Sequence, residues 1–407
     1  MTALCAGTPA QAQTGQQTLS ASGQTFGAFS REIDLNVATD VTYDSNVLRS
    51  RSGTEAARGL DKEDIILRPR VEGSVALPVG PVQFSVNGLV GYDIYTRNSE
   101  LNRERINLTA SAQGGIPSCG ANVTGGFSRG QSDLRDLSIE PGDPVTSSIN
   151  VQTITRIGAT LYCGSFVGLR PVAMVEYRQS RNSNIRRRGS NVNSLTYGGG
   201  VMYSNPIVGQ ITAFVSKSDF NYPDSAPLVL VPFPDINVLN AGVRLDRRLG
   251  ARLQVNGQVT YTKVDIDGLA GTAYDGINWD ISASLRATEQ LQITLGTARQ
   301  IDTSAGFRSN FVRSSIYSAD INYAITQRLG LNLSGSYQKR DFDNSTLLPT
   351  FGSISDDKFT RLSARLKFQR SRRLGFELFG TYDKRDADAT IYDYEGFTGG
   401  IGIRLHM

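Results

Sequence analysis

Long runs of alternating polarity, many of them about 10–13 residues in length, constrain this chain more than anything else in it. A period of two places successive side chains on opposite faces of an extended strand. From Ile33, the residues Ile33, Leu35, Val37, Val41 and Tyr43 fall on one face, and Asp34, Asn36, Asp40 and Thr42 on the other. "PVQFSVNGLVGYDIY" and "RLQVNGQVTYT" repeat the scheme, and no stretch reads as an amphipathic helix. Counting such runs gives about 18 strands, with 16 possible. Strands of soluble proteins average about 5–6 residues, whereas a tilted strand crossing a bilayer needs about 9–11.

The connections alternate in length. Tight ones fall at 78–81, 117–120, 163–165, 205–209, 247–250, 288–290, 326–330 and 372–375, and longer polar ones lie between them. Short turns at one end and long loops at the other specify an all-β fold: a single transmembrane, antiparallel, up-and-down β-barrel over residues 32–407. The expected orientation puts the short turns and both termini in the periplasm and the long loops outside the cell. A weak repeat supports regular hairpins: "RRLGARLQV", "EQLQITL", "QRLGLNL" and "RRLGFEL" recur every 38–45 residues or so. A propeller blade packs four short strands into such an interval, and here each holds two long ones.

Charge placement follows the same alternation. Arg68, Arg70 and Glu72 oppose Leu67, Val71 and Val75, and Arg361, Arg365 and Lys367 oppose Leu362, Leu366 and Phe368. On the lipid face a mid-strand Arg or Lys would cost about 2–4 kcal/mol, so the charged phase is expected to face the lumen. The candidate lumen residues are Arg68, Arg70, Arg105, Arg156, Arg170, Arg244, Arg252, Arg286, Arg361 and Arg365. They either line a pore or pair across the lumen with its acids and stiffen a filled barrel. Tyrosines in the apolar phase near strand ends (Tyr43, Tyr92, Tyr177, Tyr261, Tyr317, Tyr323, Tyr337, Tyr382) suit the membrane interface. Cys119 and Cys163 fall at the same rim if their strands are neighbours. An oxidising periplasm then permits a disulfide, the alternative being two unpaired thiols.

Other classes fare badly. A net charge of +4, with no basic stripe interleaved with aromatics, gives no reason to expect nucleic acid. The only histidine is His406, so no Ser/His/Asp set is expected, and no enzyme, metal or cofactor is read here. The acidic corners at 265–276 and 343–345 lack full calcium-loop spacing and read as solvated turns. The basic run Arg186–Arg188 reads as an outer loop near lipopolysaccharide phosphates, or as a lure for an anionic substrate. Residues 1–13 end in a small-x-small pattern at Ala10–Ala12 and read as the remnant of a signal peptide, with 14–31 a flexible leading segment. Leu4 breaks the lipobox that Cys5 would need.

Where the first strand ends, the sequence reads "TYDSNVLRS". Tyr43, Asp44 and Asn46 form a Y-D-x-N corner that resembles the start of a proteobacterial family of outer-membrane β-barrels, the type 2 β-barrel porins. That family is associated with exopolysaccharide biosynthesis loci. The resemblance implies an outer-membrane pore tied to exopolysaccharide export or assembly, with export-complex proteins as partners and no catalytic residues. The alternative is a closed structural or adhesin-like barrel acting through its outer loops. At the other end, Thr398, Gly400, Ile403 and Leu405 resemble the last-strand signal read by the β-barrel assembly machinery, although His406 and Met407 replace the usual final aromatic.

Overall fold

The computed structural model describes residues 31–407 except 54, 56–58, 117, 133, 136–148, 166, 225–233, 268–272, 303–310 and 344–353, and except the side chain of Arg186. The leading segments 1–13 and 14–30, and parts of both acidic corners, lie outside the described residues.

Among the described residues eighteen strands follow one another in hairpins. A long connection joins β1 (Glu32–Asp44) to β2 (Asp64–Val79), and a tight turn joins β2 to β3 (Val82–Tyr95). The same alternation carries the chain through β4 (Arg103–Ile116), β5 (Cys119–Gln131), β6 (Val151–Cys163), β7 (Gly168–Asn182), β8 (Val192–Asn205) and β9 (Gly209–Asn221). It continues through β10 (Ile236–Leu249), β11 (Leu253–Ile266), β12 (Tyr274–Arg286), β13 (Leu291–Asp302) and β14 (Phe311–Ala324). The last four are β15 (Leu329–Asp343), β16 (Asp356–Gln369), β17 (Leu374–Ala387) and β18 (Tyr394–His406). Lengths run from 12 to 16 residues, enough to cross a bilayer at a tilt.

Each strand pairs antiparallel with its neighbours in sequence, and β1 closes the ring on β18, with Val37 opposite Leu405 and Asp44 opposite Thr398. Closure leaves no unpaired edge, the condition a sheet must meet in lipid. The expected count of 18 and the up-and-down order are therefore borne out. Glu32 and His406 both lie at the short-turn end.

Alternation along the strands separates two surfaces. The outer phase leaves its large apolar side chains open: Leu295 is 56% exposed, Leu378 56% and Ile401 62%. A soluble protein rarely presents so continuous an apolar surface, whereas lipid is its matching solvent. All eight tyrosines assigned to the apolar phase are exposed on it. At the long-connection end the inner surface is covered. Leu48, Leu60, Leu101 and Leu134 cluster there from three connections, and a second cluster joins Ile236, Val238, Val264 and Ile266.

Candidate functional site: the lumen wall and the closing seam

The charged residues of the inner phase are organised as ion pairs that run along the wall. Arg70 pairs with Asp40 on β1, and its Nε donates to Glu72 Oε1 at 2.5 Å. Arg404 on β18 reaches Glu72 at 3.4 Å. Asp93 on β3 stands between Arg68 at 3.9 Å and Arg105 at 3.6 Å, one on each neighbouring strand. From β16, Arg361 grips Asp383 with donors at 2.6 and 2.9 Å, and Arg365 reaches Glu377 at 2.7 Å. Arg244 and Asp246, two residues apart on β10, pair at 2.7 Å. Every one of these pairs joins residues of one strand, neighbouring strands or next-but-one strands. The expected alternative of pairing across the lumen is therefore not what these arginines do.

A different arrangement holds on β6 and β7. Arg156 and Arg178 are directly opposed across the two strands, both in the inner phase, and Arg156 is exposed to the interior. Gly126 of β5 lies beside them, and a methyl group there would come within 2.5 Å of Arg156 Nε. The missing side chain on Gly126 gives the Arg156 stem its place against the wall. Like charges directly opposite repel, so this pair is a local concentration of positive charge.

Three others of the ten expected lumen arginines are in the inner phase but stand outside these wall pairs. Arg170 is buried, 3% exposed, with its guanidinium 5.7 Å from the Tyr162 ring centre and Nη2 3.4 Å from Met202 Sδ. Burial in an apolar corner formed by Tyr162, Val172, Met202 and Phe214 removes it from any open passage. Arg252 and Arg286 fall at tight turns, where Arg286 N–H donates to the Arg252 carbonyl at 2.7 Å, and both are exposed at the rim. Their alternation is that of the inner phase, but the wall ends before it reaches them. Cys119 and Cys163 are opposite residues of β5 and β6 at the short-turn end and are joined by a disulfide, with Cα atoms 4.0 Å apart.

The long-connection end holds charged residues that alternation did not single out. Asp357, fully buried, accepts from Arg340 at 2.9 and 2.6 Å and from Arg385 Nε at 2.8 Å. Arg385 Nη1 also donates to the carbonyl of Arg135 at 2.7 Å. Arg135 follows β5, six strands from β17 around the ring, and its guanidinium lies over the Phe359 ring at 4.8 Å. The β5–β6 connection thus reaches β16 and β17 at the mouth. Of the basic run, Arg187 is turned to the Ser132 hydroxyl on that same connection. Nearby, burial pushes the Asp388 carboxyl up, but the Ser355 hydroxyl (2.5 Å) and N–H (2.9 Å) outweigh it and hold it below its ordinary value.

The Y-D-x-N corner forms the top of the closing seam. Asp44, 3% exposed, takes two donors from Arg49 and the N–H of Asn46 at 3.0 Å. Asn46 Nδ2 donates to the carbonyls of Ser50 (3.0 Å) and Glu395 (2.9 Å), and so ties the first connection to β18. Ser45 N–H donates to the Phe397 carbonyl, and Phe397 N–H returns a bond to Ser45 Oγ at 2.7 Å. Tyr43 faces outward, donating to Glu63 at 2.7 Å. That bond, with the Arg97 guanidinium at 2.9 Å, holds the Glu63 carboxyl below its usual range. The corner is a clasp, with nothing in it arranged for chemistry. Thr398, Gly400, Ile403 and Leu405 lie on β18 along the same seam, with Ile403 and Leu405 facing out.

Known barrels of similar outline include a BenF-like porin from Pseudomonas fluorescens Pf-5, with 12% identity, a TM-score of 0.48, and coverage of 93% of this chain and 99% of that one. OccK2 (OpdF) of Pseudomonas aeruginosa gives 12% identity and 0.46, covering 92% and 98%, and OprD of the same organism gives 12% and 0.45, covering 93% and 94%. No curated protein matches the chain. The family match covers residues 237–407, from the second residue of β10 to the C-terminus, and not the Y-D-x-N corner. Over that span the sequence is similar to the family described as "Putative beta-barrel porin 2".

Proposed function

We propose that this barrel is a passive outer-membrane pore for polar solutes, with its short turns and termini in the periplasm, and that the solute is a saccharide chain exported or assembled at the cell surface. The observation that carries the reading is the direction of the ion pairs. Because Arg68, Arg70, Arg244, Arg361 and Arg365 find their acids along the wall, their charges are balanced locally and their side chains are held out of the passage. A ring of about 16–18 strands is wide enough to leave an aqueous channel when its interior is not filled. Hydroxyl and amide groups toward the short-turn end, such as Gln292, Ser284 and Thr294, are bonded to one another and offer a neutral polar surface suited to sugar hydroxyls. In this reading the partners are outer-membrane lipid with lipopolysaccharide, the assembly machinery reading Thr398–Leu405, and export-complex proteins.

The test is conductance of the refolded protein in planar bilayers, followed by liposome swelling with neutral and uronate oligosaccharides. Steady conductance with swelling in both sugar series supports the reading. Conductance without sugar permeation leaves a small-ion pore and removes the saccharide.

The covered mouth favours a second reading, a barrel closed at rest that works through its outer connections. Its specific support is the contact of Arg135 with Phe359 on β16 and Arg385 on β17. Absence of conductance from a folded barrel, restored by Arg385→Ala, would select it.

A further inference from the structure

The outer surface carries a repeated three-layer pattern that neither transport nor folding explains. On β11, β15 and β17 the outward phase reads Tyr-x-Lys-x-Asp: Tyr261, Lys263, Asp265, then Tyr337, Lys339, Asp341, then Tyr382, Lys384, Asp386. On β9 the same place holds Val215, Lys217 and Asp219, and the tyrosine comes from the neighbouring strand, where Tyr197 stands opposite Lys217. In each case lysine and aspartate are paired, at 2.8, 3.1, 3.2 and 3.0 Å in chain order. The four strands run toward the long-connection end, so on β11, β15 and β17 the order outward from the lipid belt is aromatic, cation, anion, while on β9 the aromatic stands level with the cation.

The lysine usage is selective. Of the 42 Lys and Arg in the chain only seven are lysine, and Lys217, Lys263, Lys339, Lys358 and Lys384 all lie in this outward row. Lys358 stands directly opposite Lys339 and faces out with it. Arginine also occurs in the outward phase, where Arg313 stands opposite Asp341 and pairs with it at 2.9 Å. An exposed Lys–Asp pair contributes about 0–1 kcal/mol, so stability gives no reason to repeat it four times. Position does. Tyrosine marks the level where hydrocarbon meets headgroups. A lysine two residues further on lies about 6–7 Å higher along the strand, with an apolar stem to lie on the belt and a compact charge to project into the next layer. The side chains remain 41–47% exposed, so their charges are accessible.

We infer that this row seats a phosphorylated glycolipid of the outer leaflet, lysines meeting its phosphates and the aspartates above them meeting the divalent cations that bridge those phosphates. The inference rests on the bilayer placement of the barrel and not on what passes through it. Charge complementarity in two successive layers selects this occupant. A neutral lipid would leave both layers unmatched, and a free anion would have no use for the aspartates.

The test uses the folded full chain in neutral detergent, titrated with bisphosphorylated lipid A in the presence of Mg²⁺, reading the unfolding temperature on heating. A ligand that binds only the folded state raises that temperature saturably. The titration midpoint should shift at least tenfold in Lys217→Gln/Lys263→Gln/Lys339→Gln/Lys384→Gln, and chelating Mg²⁺ should weaken binding to the parent protein. Bilayer conductance, which this row does not line, should match the parent and so report correct folding. If the fourfold variant does not fold, Lys263→Gln/Lys384→Gln should still shift the midpoint at least threefold. Equal titration of parent and variant overturns the inference. So does an equal effect of inorganic phosphate, which would mean a free-anion site. Oligomers lost in the variant with lipid binding unchanged would make the row a contact between copies and overturn it too.

Discussion

Arg49 holds the carboxylate of Asp44 with two donors, Nη1 at 3.0 Å and Nη2 at 2.6 Å, while its Nη1 also reaches the Asn46 carbonyl at 2.8 Å. Arg49 adopts a positive φ of 50°, which an arginine accepts only where its surroundings hold it there. The pair closes the first connection onto the top of β1, and Asn46 then fastens it to β18. The seam is the one place where the ends of the chain must find each other. Arg49→Ala should therefore destabilise the barrel by about 2 kcal/mol or more, since it leaves a buried carboxylate short of donors. Urea unfolding followed by heat-modifiable gel mobility measures it, and an unchanged midpoint would show the clasp to be dispensable.

Reduction of the Cys119–Cys163 bond should lower stability, because the link closes a loop with a sequence separation of 44. For loops of this size the expected loss is about 2–4 kcal/mol. Comparing urea midpoints with and without reductant, against Cys119→Ser/Cys163→Ser as a control, isolates the bond. The control should show no response to reductant.

Lipid-facing and lumen-facing sites on the same strand should respond oppositely to charge. Leu378→Arg on the outside of β17 should cost about 2–4 kcal/mol near the midplane. Ser363→Arg on the inner face of β16 should cost far less and should shift the reversal potential toward anions. Equal losses would mean that the two phases are assigned to the wrong sides.

Arg156 and Arg178 oppose each other across β6 and β7, so their positive charge is concentrated at one place on the inner wall. Arg156→Ser/Arg178→Ser should reduce anion preference more than Arg361→Ser, whose charge Asp383 already balances. Reversal potentials across a tenfold salt gradient distinguish them. A larger effect from Arg361→Ser would contradict the local-balance argument.

Asp388 gives a pH dependence with a definite sign. Its folded carboxyl lies below the ordinary value, so the stability it adds is present above that ordinary value and is lost as pH falls through the lower, folded one. Below about pH 4 the Ser355 amide, which donates to it at 2.9 Å, should lose its protection from hydrogen exchange. Asp388→Asn should remove that pH dependence without affecting strands distant from it.

What the sequence determined was whatever depends on near neighbours along the chain. Alternation in "RLQVNGQVTYT" assigns Val259 and Tyr261 to one face without reference to any other strand, and tight turns such as 247–250 can only make neighbours antiparallel. The tertiary structure decided the rest. Whether Arg361 crosses the lumen or reaches Asp383 beside it depends on the register of β16 against β17. That Arg170 is buried depends on Tyr162 and Met202 arriving from other strands, and that Arg135 meets Phe359 depends on the path of a connection across the mouth. Asn46 and Glu395 are 349 residues apart, and only closure of the ring brings them to 2.9 Å. Periodicity is a property of a few consecutive residues, whereas register, closure and loop path are set by the whole ring at once.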